Sequence, residues 1–202
     1  MRITRPTALL AAMLLATGCT TAPRDAAGTT GPATTVPAAT PVPTPGGTTG
    51  AFSPTDIAWL QLTVAMNERV LPVLDTVSSR TTDPAWRTFA ARLGRAHRAD
   101  LSTARRLLAD SGAPATNPHE GHDMPGMVTD EELIALRSAT GAALLRLAGQ
   151  HVRAHLDQAV RVATAEQRGG ANPATTALAT EVIRTGSTEL TRLDRWDQPP
   201  AA

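Results

Sequence analysis

The sequence is poor in two residue classes that often define small secreted domains, cysteine and aromatic residues. Cys19 is its only cysteine, so no disulfide can form within one chain. Tyrosine is absent, and two phenylalanines and three tryptophans leave little surface on which bases or sugars could stack. The net charge is only +1 and acids alternate with bases, so we expect no nucleic-acid partner. Alanine and leucine must fill most of any core.

Residues 1–19 predict a secretory signal, with Arg2 and Arg5 before a short apolar stretch. That stretch is too short to span a bilayer. The run Ala-Thr-Gly-Cys at 16–19 resembles a bacterial lipobox, which implies cleavage before Cys19 and a lipid on its sulfur. The alternative is an ordinary signal peptide with an incidental cysteine. We expect an extracytoplasmic protein that a lipid anchor attaches to the membrane.

Residues 20–52 are mostly threonine, proline, alanine and glycine, with almost no charge. Such a segment cannot bury enough apolar surface to offset its chain entropy. The composition predicts a disordered tether between the anchor and one folded domain at 53–198.

Helix signals divide that domain into four segments. Ser53-Pro54 and Asp83-Pro84 are typical helix starts, Thr129 to Glu132 reads as a capping box, and 169–173 should end a third helix and begin a fourth. Apolar residues recur at three- and four-residue steps in each segment. The pattern predicts an all-α four-helix bundle built from two helical hairpins. The connection 112–127 is long enough either to stay at one end or to cross the bundle.

Polar residues interrupt the apolar stripe of each predicted helix at similar heights. Inward Glu and His from facing helices are how bundles build metal sites. Thioether and imidazole ligands favour copper, whereas carboxylates with histidines suit zinc or iron. The alternative is a structural polar layer in which the acids pair with arginines or histidines. The candidate ligands are Met66, His97, Asp100, His151, His155 and Glu189.

The connection itself carries a second candidate set: His119, His122, Met124 and Met127. A flexible segment of this composition can wrap a soft ion such as Cu(I). Alternatively, the two methionines clamp the open end of the bundle and the histidines are solvated.

Catalytic interpretations are weaker. His151 and His155 have the spacing of a metalloprotease pair, but Val152 stands where the general base would be. No nucleophile elbow or phosphate-binding loop occurs. The sequence therefore predicts that the protein is not an enzyme.

The segment HDMPGMVTDEELIALRSATGAALLRL resembles the His-Met-Pro-Gly-Met motif and helix start of domain-of-unknown-function family 305, DUF305, and the resemblance covers about residues 55–197. It implies a ferritin-like bundle, and copper binding in some members. Where members carry paired histidines, this chain has Met66-Asn67 and His155-Leu156, and their Gln-x-x-Glu falls on His97-x-x-Asp100. The resemblance thus implies at most an altered or vestigial site.

Together these features predict a non-catalytic envelope binding protein with possible copper or other transition-metal contact. The competing interpretation is a metal-free scaffold or interaction module. The sequence indicates no particular protein partner.

Overall fold

The computed structural model describes residues 50–114 and 116–197. The predicted signal, its Cys19 and nearly all of the predicted tether lie outside these ranges. Five helices and no strand occur in the described part of the chain. They are α1 (Pro54–Arg80), α2 (Pro84–Asp110), α3 (Asp130–Ser138), α4 (Gly141–Gly169) and α5 (Pro173–Asp197). None of them is long and apolar enough to cross a membrane.

The helix starts form where their capping residues predict them. Ser53 and Asp56 make a reciprocal capping box on α1, and Asp83 accepts hydrogen bonds from the amides of Ala85 and Trp86 on α2. The Asn172 side chain accepts from the amides at 174 and 175 and so caps α5. The helix α1 runs without interruption through Pro72.

The predicted third helix is two helices, which corrects the expectation of one continuous helix from the capping box to Gly169. The Thr129 capping box does begin a helix, but α3 ends at Ser138, and α4 begins at Gly141 with φ +52°. That backbone conformation strains residues with a Cβ. Gly141 lets the chain turn between α3, which buries Leu136, and the long core helix α4.

The four long helices α1, α2, α4 and α5 form the bundle, in the order α1, α2, α5, α4 around its axis. The start of α1 meets the turn between α4 and α5, since the Asp56 carboxylate accepts from the amides of Ala171 and Asn172. We call this end the base. The helices α1 and α4 are therefore antiparallel neighbours, and α2 and α4 lie on a diagonal.

The connection from α2 to α4 crosses the bundle from base to top. Near the base, Asn117 Nδ2 donates to the Gln61 carbonyl at 2.8 Å. Further up, Arg69 pairs with Asp130, and Arg80 at the end of α1 donates to the Ala139 carbonyl at 3.1 Å. One long crossover is the arrangement of ferritin-like bundles.

The buried apolar residues form three clusters along the bundle. The largest lies toward the top, around Val70, Phe89 and Leu156, and the second lies toward the base, around Trp59, Leu60 and Leu101. Between them is a small middle cluster of Ala65, Met66, Met127 and Ala159, with Met124 packed against it. The buried polar residues Asn67, His97 and His155 lie at this middle level.

Candidate metal centre

A cavity of about 20 Å³ lies at the middle of the bundle, and all four long helices line it. That volume holds roughly one water molecule or one ion. The lining residues are Thr63, Met66 and Asn67 from α1, His97 and Asp100 from α2, His155, Ala159 and Val162 from α4, and Val182 from α5. Four of the six bundle residues proposed from sequence as ligands therefore share one cavity.

His97 and His155 face each other across the bundle diagonal. Their ring centroids are 4.8 Å apart, and the rings are nearly perpendicular at 84°. His97 is 5% exposed and His155 1%, so both rings are part of the core. The two imidazoles meet because each lies on the inward stripe of its helix at a similar height.

Burial keeps both imidazoles neutral. It lowers the pKa of His97 to about 4. For His155, burial first and the neighbouring His97 second hold the pKa well below its usual value, while an interaction with the Gly126 backbone acts in the opposite direction. Neutral imidazole is the form that binds metal ions. The pair therefore needs no deprotonation to act as a ligand near neutral pH.

Within residues 50–114 and 116–197, several polar atoms around the cavity have no hydrogen-bond partner. They are His97 Nε2, Asn67 Oδ1 and both ring nitrogens of His155, apart from a weak contact of the His155 ring with the Gly126 backbone. The Asn67 amide group is held in place, because its Nδ2 donates to the Thr63 carbonyl at 2.8 Å. Buried polar atoms are nearly always bonded, so a group of unpartnered ones around one cavity indicates a ligand or water that they contact.

Met66 brings a thioether to the same cavity and is 2% exposed. It belongs to the middle cluster with Met127, which is 8% exposed, and with the half-buried Met124. The sequence suggested separate loop and bundle sites, but the crossing connection brings both loop methionines into one apolar cluster with Met66 and Ala159, which line the cavity.

A tight turn holds those methionines in place. The Met127 amide donates to the Met124 carbonyl at 2.9 Å, and Gly126 has φ +82°, as a Pro-Gly type II turn requires. Gly126 also lies directly on α4. A Cβ at this position would be 2.5 Å from Gln158 Cβ and 2.9 Å from the Ala154 carbonyl oxygen. Only glycine allows this close approach beside His155.

Asp100 is the acid of the cavity lining. It is half-buried, and burial, together with the negative charge of Glu181, raises its pKa to about 6. The cavity thus combines two neutral imidazoles, one thioether, an amide oxygen and a carboxyl group that is partly protonated near pH 6.

The other sequence candidates lie elsewhere. Glu189 is buried, but its carboxylate pairs with Arg92 at 2.6 Å and Arg192 at 3.5 Å, outside the cavity lining. His151 is half-buried one turn before His155 and does not line the cavity either. His122 is exposed, and His119 lines a groove at the base with Trp59 and Glu166.

Sequence reasoning missed two features of the polar core. Asn67 had a signal, because the family resemblance matches Met66-Asn67 with a pair of histidines. Glu166 had none, since a glutamate near the end of a helix is usually solvated, yet here it is buried against Asp56 at the base.

The family model for a domain of unknown function, DUF305, matches residues 55–197. The chain belongs to the DUF305 family. No curated protein matches this DUF305 chain.

Solved structures share its fold at low sequence identity. A DUF305 fragment from Deinococcus radiodurans has TM-score 0.64 and 17% identity, over 71% of this chain and 95% of that one. A protein from Streptomyces coelicolor, described as a secreted DUF305 protein, has TM-score 0.63 and 18% identity, over 69% and 89% of the two chains. CopM in its Cu(I)-bound form has TM-score 0.60 and 15% identity, over 70% and 94%. These likenesses confirm the all-α ferritin-like bundle.

Proposed function

We propose that this DUF305 chain is an extracytoplasmic, non-catalytic protein that binds Cu(I) in the cavity between His97, His155 and Met66. The observation that carries the proposal is the group of unpartnered imidazole nitrogens around a cavity of ionic size. The Cu(I)-bound form of CopM, which has the same fold, adds support from outside the chain.

The donor set favours Cu(I) over harder ions. Among residues 50–114 and 116–197, no three side chains of the His, Cys, Asp and Glu types converge on one point. Structural zinc sites need about four such ligands. Cu(I) is soft and accepts thioether with imidazole, so two histidines and Met66 suffice for it. Met127 and Met124 belong to the same cluster as Met66 and offer further soft ligands on the side toward the surface.

The size of the cavity argues against catalysis on an organic substrate. About 20 Å³ admits an ion or a water molecule but no larger group. The role we propose is therefore binding or delivery of the ion.

The location outside the cytoplasm rests on the predicted signal and on the secreted description of the Streptomyces coelicolor protein. We further propose that a lipid on Cys19 anchors the chain and that residues 20–52 separate the bundle from the membrane. Mass spectrometry of the membrane fraction tests this directly. A diacylglycerol mass on Cys19 is expected, and an unmodified mature chain in the medium would contradict the anchor.

The test of binding is a Cu(I) titration of the purified protein under anaerobic conditions against a chromophoric Cu(I) chelator. One equivalent should bind tightly to the wild type. His97→Leu and His155→Leu should each weaken binding at least about 100-fold, since each removes one of few ligands. Met66→Leu should weaken it less, and the matched control Glu189→Gln should bind like the wild type.

A metal-free scaffold is the second candidate. It is favoured by the pairing of Glu189 with two arginines, which makes that part of the polar core structural. In that case one water molecule occupies the cavity, and wild type and histidine variants show the same weak uptake of Cu(I).

A further inference from the structure

The base of the bundle contains a second buried polar group, formed by two acids. Asp56 on α1 is 0% exposed and Glu166 on α4 is 1% exposed. The Asp56 carboxylate accepts from the Ser53 amide and hydroxyl, both at 2.6 Å. It also accepts from the amides of Ala171 and Asn172, both at 3.1 Å. One carboxylate thus holds the start of α1 against the turn between α4 and α5.

Glu166 has the opposite surroundings. No donor among the described residues reaches either of its carboxyl oxygens, and its hydrogen-bonding neighbour is the Asp56 carboxylate. The turn is packed against it so closely that a Cβ at Gly170 would lie 2.1 Å from Glu166 Oε1. Two ionised carboxylates in contact repel each other strongly when buried. A hydrogen bond between them requires a proton.

We propose that Asp56 and Glu166 hold one proton between them, and that this proton closes a clasp between the start of α1 and the α4–α5 turn. The proton belongs mainly to Glu166, because four N–H and O–H donors already stabilise the ionised form of Asp56. The carboxylic acid of Glu166 then donates to Asp56. The base of the bundle is therefore a proton-binding site, separate from the histidine cavity.

The pKa shifts of the two acids agree with this geometry. Burial, the hydrogen bond to Asp56 and the charge of Asp56 raise the pKa of Glu166 from 4.5 to about 8. Burial would also raise the pKa of Asp56, but hydrogen bonds from Ser53, Glu166 and Asn172 outweigh it and lower the pKa to about 2. The two groups thus titrate on opposite sides of the physiological range.

Other polar groups around the pair come from three elements. His119 of the crossing connection lines the same groove as Glu166, while the turn supplies the Asn172 side chain and α5 supplies the buried Thr175. Asn172 Nδ2 also donates to the Gly50 carbonyl, which holds the residues that lead into α1. Loss of the proton should therefore loosen the base and this lead-in together.

The direction of the pH effect follows from linkage. Folded protein binds the Glu166 proton more tightly than unfolded protein, so this contribution is complete below pH 4.5 and is lost as pH rises through about 8. The unfolding equilibrium constant should rise up to about tenfold per pH unit inside that window. The ionised Asp56 carboxylate has its effect at low pH, where its contribution to stability is lost as pH falls from 3.8 through about 2.

The experiment is urea unfolding of the purified full chain between pH 5 and pH 9. The buried neutral histidines raise stability as pH rises to about 6.5, so the Glu166 contribution is isolated between pH 6.5 and 8. Glu166→Gln keeps a donor for Asp56 but cannot ionise, so its stability should lack the decline that the wild type shows in that interval. Glu189→Gln is the matched control, a buried glutamate paired with arginines, and should retain that decline. Equal pH profiles for wild type and Glu166→Gln would overturn the proposal.

Infrared spectroscopy of the wild type gives a test that does not depend on a variant folding. Near neutral pH the folded protein should show the absorption of a protonated carboxyl group, which disappears on titration toward pH 9. Absence of that band near neutral pH would show instead that both acids are ionised at the base.

Discussion

The base and the middle of the bundle both bury polar side chains, but the Asp56 carboxylate at the base has several donors whereas the histidine pair in the middle has few partners. At the base, the Asp56 carboxylate has donors from three different residues besides the Glu166 carboxyl group. In the middle, one ring nitrogen of His97 has no partner among the described residues, and the His155 ring has only its weak contact with the Gly126 backbone, although both rings are as deeply buried. Folding alone accounts for the first arrangement, whereas the second lowers stability unless something binds there.

Glu189 supports this distinction. It is a buried acid at a height where the sequence suggested a ligand, but Arg92 and Arg192 neutralise it. Donors inside the protein thus give Asp56 and Glu189 a structural role, whereas the histidine pair stays available for a ligand.

The largest expected loss of stability is at the base. Asp56→Ala removes a capping box and the link to the α4–α5 turn, so it should lower the free energy of unfolding by about 3 kcal/mol. Urea denaturation near neutral pH measures this. The control is Asp75→Ala, whose exposed ion pair with Arg98 should contribute less than about 0.5 kcal/mol. Equal losses in the two variants would show that the base is not a structural centre.

An intermediate effect is expected at the turn that covers the middle. Gly126→Ala places a Cβ against Gln158 and the Ala154 carbonyl at a positive φ, and should cost about 2 kcal/mol. Gly121→Ala is the matched control, because Gly121 has φ +75° with nothing within 4 Å of an added Cβ. If both variants lose the same stability, the strain is in the backbone alone and the connection is not packed tightly on α4.

The smallest effect has the opposite sign. His155→Leu replaces a buried imidazole, whose partner is only a weak contact with the Gly126 backbone, with an apolar side chain of similar size, so the metal-free protein should gain about 1 kcal/mol. Thermal unfolding in the presence of a chelator measures it. A loss of more than about 2 kcal/mol would mean that the imidazoles have strong hydrogen-bond partners in the metal-free protein and stabilise the fold.

Local signals in the sequence predicted most of the fold. Ser53, Asp83 and Thr129 begin helices because their side chains meet the free amides of a first turn, and this interaction involves only neighbouring residues. The inward stripes likewise predicted that Met66, His97 and His155 are buried. Such features need no knowledge of the tertiary structure.

The features that the sequence did not reveal depend on contacts between distant segments. The crossing of the connection follows from how α4 is oriented relative to α1, and the break before Gly141 follows from the packing of α3 on the bundle. The burial of Glu166 requires the start of α1 beside the end of α4. Glu189 lies on an inward stripe, but no spacing within one helix could show that Arg92 of α2 reaches it.

The most direct test of the central claim is X-ray absorption at the copper edge on protein loaded with one equivalent of Cu(I). The account predicts a shell of two imidazole nitrogens and one thioether sulfur, with the nitrogen contribution halved or the ion lost in His155→Leu. A shell of sulfur alone, unchanged in His155→Leu, would place the ion on the methionines of the connection and contradict a histidine site in the core.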